Sequence, residues 1–271
     1  MSTNPKIALT IAGNDASGGA GIAADLKTFA EYGVFGISTL TCIATMDPND
    51  WKHTVFPVDF EVFTHQLDTA LSNDDGLAAF KTGMISTIEQ VDYITKVIKE
   101  NDLQNFVFDP VMVCKGEDDV LNPELSEAMR QKLLPLATVV TPNLFEAGQL
   151  AGLNTPDSVD GMKEAAKSIY SKGAKNVVIK GGTGIEGNQA VDIFYNGDDY
   201  TILEAEKITD GANHGAGCTF AAAVTAGLAN GLEPLEAVTK AKEFVSDAIR
   251  YGFKYNKHCS PVYHSAHRLN N

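Results

Sequence analysis

Two rhythms of apolar and polar residues alternate along this chain. "KIALTIAG" (6–13) is nearly all apolar, as a strand buried on both faces of a parallel sheet is. "IAADLKTFAEYG" (22–33) then changes to helical spacing and stops at Gly33, a natural helix terminator. "GISTLTCIATM" (36–46) predicts another buried strand, and "DFEVFTHQLDTALS" (59–72) an amphipathic helix capped by Asp59. "LAAFKTGMI" (77–85) returns to strand. In "STIEQVDYITKVIKEN" (86–101), Ser86 or Thr87 is the cap and Ile88, Val91, Ile94, Val97 and Ile98 share one face. "NFVFDPVMV" reads as a strand broken at Asp109-Pro110, and "NPELSEAMRQKLLPLA" as a helix with proline in its first turn. "TVVTPN" predicts a strand, followed by helices in "LFEAGQLAGL" and "SVDGMKEAAKSIYSKG". "KNVVIKGG", "QAVDIFYNG" and "DYTILEAEKI" form a late strand cluster, the last two antiparallel. Two helices follow, from Cys218 to about Asn230 and from Glu233 to about Phe253.

Such alternation predicts an α/β fold: one mostly parallel central sheet with helices on both faces, a three-layer α/β/α sandwich. Neither a linker nor a repeat interrupts it, so residues 1–271 are expected to form a single domain. In such a sheet ligands bind at the carboxyl ends of the strands. "GNDASGGAG", "KTGM", "DPVMVCKG", "TPNLFE" and "KGG" all follow predicted strands, which places five loops on one rim.

Composition narrows the ligand. The net charge is −14, which argues against a sequence-independent grip on nucleic acid or on an anionic membrane. An anionic ligand would need backbone N–H groups, a metal or a few placed lysines. "MSTNPKIALTIAG" has no basic segment leading into a long apolar run, and the cysteines are scattered. A cytoplasmic protein with reduced thiols is expected.

The stretch "TDGANHGAGCTFAAAVTAGLANG" (209–231) carries the densest chemistry. Gly215, Ala216 and Gly217 offer successive N–H groups, and the helix expected to start at Cys218 adds the positive end of its dipole. Together they suit a phosphate group. The same field should lower the pKa of the Cys218 thiol. The letters equally suit a tight turn before a packed helix with a buried cysteine. No lysine follows the last glycine, so this is not a P-loop. "HCSPVYHSAH" holds three histidines and a cysteine at no common zinc spacing and reads as a packed or solvated tail.

"LTIAGNDASGGAGIAADLKTF", "KTGM", "DPVMV", "TPN" with Glu146, "VIKGG" and "GAGCT", in this order, resemble the ribokinase-like vitamin kinases. More narrowly they are similar to the hydroxymethylpyrimidine phosphate kinase branch, which includes bacterial pyridoxal kinases. The resemblance covers nearly the whole chain. It implies a ribokinase-like fold, a homodimer, and ATP-dependent, Mg²⁺-assisted phosphorylation of a hydroxymethyl group on a small aromatic heterocycle. It implies Cys218 as the base, where most of the superfamily has Asp, with His214 relaying the proton or holding the thiolate. Asn14, Asp15 and Gly19 would meet the heterocycle, with Met84 and Val111 as apolar walls. Asp109 and Glu146 would face Mg²⁺, and Asn143, Lys180, Gly182 and Asp192 the nucleotide.

Two residues bear on which heterocycle. Hydroxymethylpyrimidine kinases carry an acidic or amide side chain where "CIATMDP" aligns Met46, and a thioether cannot pair with an aminopyrimidine. Cys114 could add reversibly to an aldehyde, which pyridoxal has and the pyrimidine lacks. Pyridoxal is therefore the expected acceptor. Hydroxymethylpyrimidine, or binding without turnover, stays open. "VCKGEDDVLNP" (113–123) is the expected lid, since phosphoryl transfer must exclude water.

Overall fold

The computed structural model describes residues 4–112, 123–209 and 211–270. One sheet runs through them. Its strands are β1 (Ile7–Asp15), β2 (Phe35–Met46), β3 (His53–Pro57), β4 (Ala79–Thr82), β5 (Phe106–Phe108), β6 (Val139–Val140), β7 (Val177–Lys180), β8 (Gln189–Tyr195) and β9 (Tyr200–Glu206). Their spatial order is β3-β2-β1-β4-β5-β6-β7-β8-β9. The strands from β2 to β7 pair in parallel, while β3, β8 and β9 are antiparallel to their neighbours. The topology switches at β1, whose neighbours β2 and β4 lead away in opposite directions, and this is where a crevice opens in a doubly wound sheet.

Helices α1 (Gly21–Glu31), α7 (Ala216–Ala229) and α8 (Pro234–Arg250) cover one face; α2 (Phe60–Leu71), α3 (Ile88–Glu100), α4 (Pro123–Lys132), α5 (Leu144–Ala151) and α6 (Val159–Tyr170) cover the other. A short α9 (Ala266–Asn270) follows. The expected three-layer sandwich is the observed one. Asp59 caps α2 by accepting from the N–H groups of Glu61 and Val62, and Thr87 caps α3. Residues Thr219 to Ala229 of α7 are all buried, because small side chains let α8 approach closely. A Cβ on Gly227 would stand 2.9 Å from that of Ala237.

Two expectations need correction. β2 is only partly buried: β3 pairs with Cys42–Met46 alone, which leaves the Phe35 end of β2 as a sheet edge, and Phe35 is 57% and Ile43 39% exposed. The helix expected from Cys218 begins at Ala216. Gly215 takes φ +81°, a conformation that favours glycine, and thereby sets the start.

His264 packs beneath the first turn of α7, with Nε2 3.1 Å from Thr219 Oγ1. Burial, aided by the Lys27 charge, holds its pKa down to about 4. Between the unfolded value near 6.5 and this one, the unfolded chain binds a proton that the folded chain refuses. The contribution to stability is thus complete above about pH 6.5 and is lost as pH falls toward 4, by about 3 kcal/mol over the window. Glu146, held above the usual carboxylate range, acts in the opposite sense over the same pH range. Urea denaturation should therefore compare wild type with His264→Gln. The difference between them is expected to shift in favour of the variant as pH drops from 7 to 4.5, and a constant difference would remove His264 from the acid response.

Candidate active site

A cavity of about 240 Å³ opens at the carboxyl ends of β1, β2, β4 and β5. Of the expected site residues, Asn14, Asp15, Met84, Asp109, Val111, Asn143, Glu146, Lys180, His214, Gly215, Gly217 and Cys218 line it together. Gly19, Met46, Gly182 and Asp192 are not among its lining residues. Cys114 lies outside the described residues, as does the expected lid except for Pro123.

The register of β1 against β2 slips between Ala12 and Asn14. Such an irregularity re-aims side chains, and here Asn14 and Asp15 turn into the cavity. The Asp15 carboxylate is already engaged. Its Oδ2 lies 2.6 Å from His214 Nε2, and its Oδ1 accepts from Ser17 N at 2.7 Å. Burial opposes its charge, but His214 and Ser17 outweigh it and hold the pKa below the ordinary value. His214 is thus paired with Asp15 and, at 3.3 Å, with Ser17 Oγ, rather than with the thiol four residues on. Gly19 forms the seat of that imidazole. A Cβ on Gly19 would fall 2.5 Å from His214 Cδ2. The His214 backbone is pinned from outside by residues 260–262: its N–H donates to Ser260 O, and its carbonyl accepts from Val262 N.

At the start of α7 the first intrahelical bond is Thr219 N to Gly215 O, 2.9 Å. The N–H groups of Gly217 and Cys218 precede it and face out of the helix end, with the dipole behind them. Lys180 Nζ adds charge at the same place: a Cβ on Gly217 would meet it at 3.4 Å. The ammonium also donates to Asp109 Oδ1 at 3.2 Å, and Thr141 Oγ1 donates to the same oxygen at 3.3 Å. Burial works against the Lys180 charge, but Asp109 and Glu146 overcome it and raise its pKa.

Asn143 and Glu146 form a reciprocal cap on α5. Asn143 N donates to Glu146 Oε2 at 2.8 Å, and Glu146 N donates to Asn143 Oδ1 at 2.9 Å. The "N-x-x-E" spacing therefore has a structural task, and the same geometry leaves Glu146 on the cavity wall. Burial and the Asp109 charge push the Glu146 carboxyl well above its usual range, against the pull of Lys180.

Cys218 also departs from expectation. Its pKa is raised, not lowered. Burial, together with the charges of Asp25 and Asp109, pushes the thiol up to about 12, against Lys81 and the Gly21 N–H. The helix end favours the thiolate, but the dry floor on which the sulfur rests outweighs it.

Asp192 and Gly182 stand behind the cavity. Asp192 Oδ2 accepts from Lys242 Nζ at 2.7 Å, and its Oδ1 accepts from Gly182 N at 3.3 Å, which fixes the turn after Lys180. Met46 ends β2 opposite His53, and it is Ala44 and His53 that reach the cavity. His53 was missed because β3 is short and only partly buried. The signal was the run of β-branched and aromatic residues Thr54, Val55 and Phe56 in "HTVFP".

The phosphomethylpyrimidine kinase family model matches residues 15–263. The chain is 53% identical over 264 residues to the pyridoxine kinase of Bacillus subtilis, covering 97% of each. It is 38% identical over 264 residues to a hydroxymethylpyrimidine/phosphomethylpyrimidine kinase of Staphylococcus aureus, covering 97% of this chain and 95% of that one. The solved structure of Staphylococcus aureus pyridoxal kinase in complex with AMP-PCP and pyridoxal matches with a TM-score of 0.93 at 49% identity, covering 99% of this chain and 96% of that one. These matches run across nearly the whole length, and the chain belongs to the phosphomethylpyrimidine kinase family.

Proposed function

We propose that residues 1–271 act as one kinase domain that transfers the γ-phosphoryl group of ATP to the 5′-hydroxymethyl group of pyridoxal. The observation that carries this reading is a single cavity in which an anion site meets apolar walls. The N–H groups of Gly217 and Cys218 converge there with Lys180, while Ala44, Met84 and Val111 bound the space for a flat ring. The greater identity to a pyridoxine kinase than to a hydroxymethylpyrimidine kinase supports pyridoxal as acceptor. The argument from Met46 no longer contributes, since that side chain is not among those lining the cavity.

The chain's own residues do most of the work by placement. Phosphoryl transfer passes through a loose transition state, so position and electrostatics dominate. Lys180 and the start of α7 hold the transferring group where negative charge spreads over its oxygens. In its thiolate form, Cys218 Sγ receives the proton of the acceptor hydroxyl as the new O–P bond forms and the bond to ADP breaks. Asp15 keeps His214, and with it the loop before α7, in place. Asp109 and Glu146 suit Mg²⁺, which keeps most of its ligands as water and phosphate oxygens. The mutual repulsion of these two carboxylates, only partly offset by Lys180, is what a divalent cation would relieve. When bound, it would neutralise charge on the phosphates.

No helix among the described residues is long and apolar enough to cross a membrane. We place the enzyme in the cytoplasm as a homodimer, and the exposed Phe35, Ile43 and Phe56 along β2 and β3 support a partner there.

Phosphorylation of pyridoxal and hydroxymethylpyrimidine should be followed side by side with ATP and Mg²⁺. Preference for pyridoxal is expected. Preference for the pyrimidine would reassign the substrate. Thermal stabilisation by both ligands without ADP release would leave a binding protein.

A further inference from the structure

The turn between β2 and β3 carries a strained residue. Among the described residues, three that are not glycine take a left-handed backbone: Trp51, Asp102 and Asn105. Asp and Asn enter that region readily, whereas a bulky side chain there is an outlier. Trp51 holds φ +64°. The turn around it is closed by its own hydrogen bonds. Trp51 N donates to Asp47 O at 2.8 Å, and Asp47 N donates to Lys52 O at 3.0 Å. The carboxylates of Asp47 and Asp50 accept from Asn49 N and Lys52 N. Glycine or asparagine at position 51 would take the same backbone with less strain. Strain of this kind persists where the surroundings hold it, so the contacts of the indole are what matter.

Those contacts are with the carboxyl-terminal segment. The Trp51 ring stacks on His258, with centroids 5.9 Å apart and 17° between the planes, and the Tyr255 ring lies 6.3 Å away at 57°. His258 Nε2 donates to Asn49 O at 3.1 Å, so the backbone and the ring of the turn are gripped together. The gripping segment is itself braced. Asn256 Oδ1 accepts from His258 N and Cys259 N, while Tyr255 N and Asn256 N both donate to Cys259 O. The same segment pins His214 through Ser260 and Val262. One strap, residues 255–262, therefore holds two walls of the cavity: the loop that carries His214, and the hairpin whose Ala44 and His53 line the space.

We propose that Trp51, docked on His258, is a positioning residue that fixes the hairpin wall of the cavity and thereby the fit of the acceptor. It acts through Ala44 and His53 and touches no reacting atom. The hairpin needs such a hold. β3 is a five-residue strand that pairs only with Cys42–Met46 at the end of β2, and a short two-stranded ribbon is marginal by itself. The strap gives it a second point of attachment, just before His53. The anion site is built from other elements, Lys180 and the start of α7. Loosening the hairpin should therefore be felt by the acceptor and not by ATP.

The inference rests on the kinase reading, and the wild type separates the two failures. A wild type that does not phosphorylate pyridoxal sinks that reading and this inference with it; an active wild type leaves the variants to judge the inference alone. Trp51→Ala should raise the KM for pyridoxal by about three- to tenfold, the scale of one aromatic pair, and leave the KM for ATP unchanged. Trp51→Phe, which keeps a ring to stack, should recover most of the loss. His258→Ala should match Trp51→Ala, and the double variant should be no worse than either, because both remove one shared contact. Trp51 is the single tryptophan of the chain, so its fluorescence reads the contact without turnover. Acrylamide should quench it more strongly in His258→Ala than in wild type. A contact that serves stability alone would lower the thermal midpoint and leave the KM for pyridoxal unmoved, which overturns the proposal. Equal rises in both KM values, additive effects in the double variant, or unchanged quenching overturn it as well. If Trp51→Ala does not fold, His258→Ala carries the test, since it alters an exposed side chain and leaves the turn intact.

Discussion

Cys218→Ala is expected to lower kcat by about 10²- to 10⁴-fold, the range for removing a positioned proton acceptor, while the KM for ATP changes little. Cys218 is the third residue of α7, and its backbone N–H, one of the two that would face the phosphates, is kept by alanine. Truncation thus removes the acceptor and leaves the anion site standing. Steady-state kinetics with pyridoxal as the varied substrate separate the two effects. The pH profile sharpens the test. With the thiol pushed up to about 12, only a small thiolate fraction exists near neutrality. Wild-type kcat should then climb with pH as far as the protein stays folded, and the climb should vanish in Cys218→Ala. A variant as active as wild type, or one that keeps the same slope, would take Cys218 out of the mechanism.

Lys180→Ala should cost about 10²- to 10³-fold in kcat/KM, as expected for losing one preorganised charge on the transferring group. It differs from Cys218→Ala in raising the KM for ATP as well. The lysine also neutralises a buried wall. Asp109 is 2% exposed and Glu146 4%, and removing their cation leaves two carboxylates facing each other. Stability should fall by about 3 kcal/mol, as for a buried charge that loses its partner. Adding Asp109→Asn should recover much of that stability without recovering turnover. Chemical denaturation and kinetics on the same samples check both halves. Recovery of activity along with stability would reduce Lys180 to a structural counter-charge.

Much of this architecture was readable in advance because the strands of a doubly wound sheet are apolar throughout. β1, β5 and β7 identify themselves in this way, and the caps at Asp59 and Thr87 mark helix starts by local chemistry. What escaped has physical reasons. β3 is a five-residue edge with little burial, so no apolar run betrays it. The start of α7 is written in glycine and alanine, which carry no periodicity, and the left-handed Gly215 decides it. His214 is four residues from Cys218 along the chain, yet its ring meets Asp15, 199 positions away. The acidity of Cys218 was misjudged for the same reason: the helix end is local, whereas the burial and the carboxylates that outweigh it come from distant segments. Lys81 did leave a trace, a charge inside the otherwise apolar "LAAFKTGMI", where a buried strand has no use for one unless it is paired.

The pinning of His214 by residues 260–262 bears on how the protein is made. Synthesis runs from the amino terminus, so the sheet and α7 leave the ribosome before the segment that clamps the loop. The clamp on the phosphate cradle is therefore among the last parts of the chain to be made, and the cradle depends on a segment synthesised after every strand of the sheet.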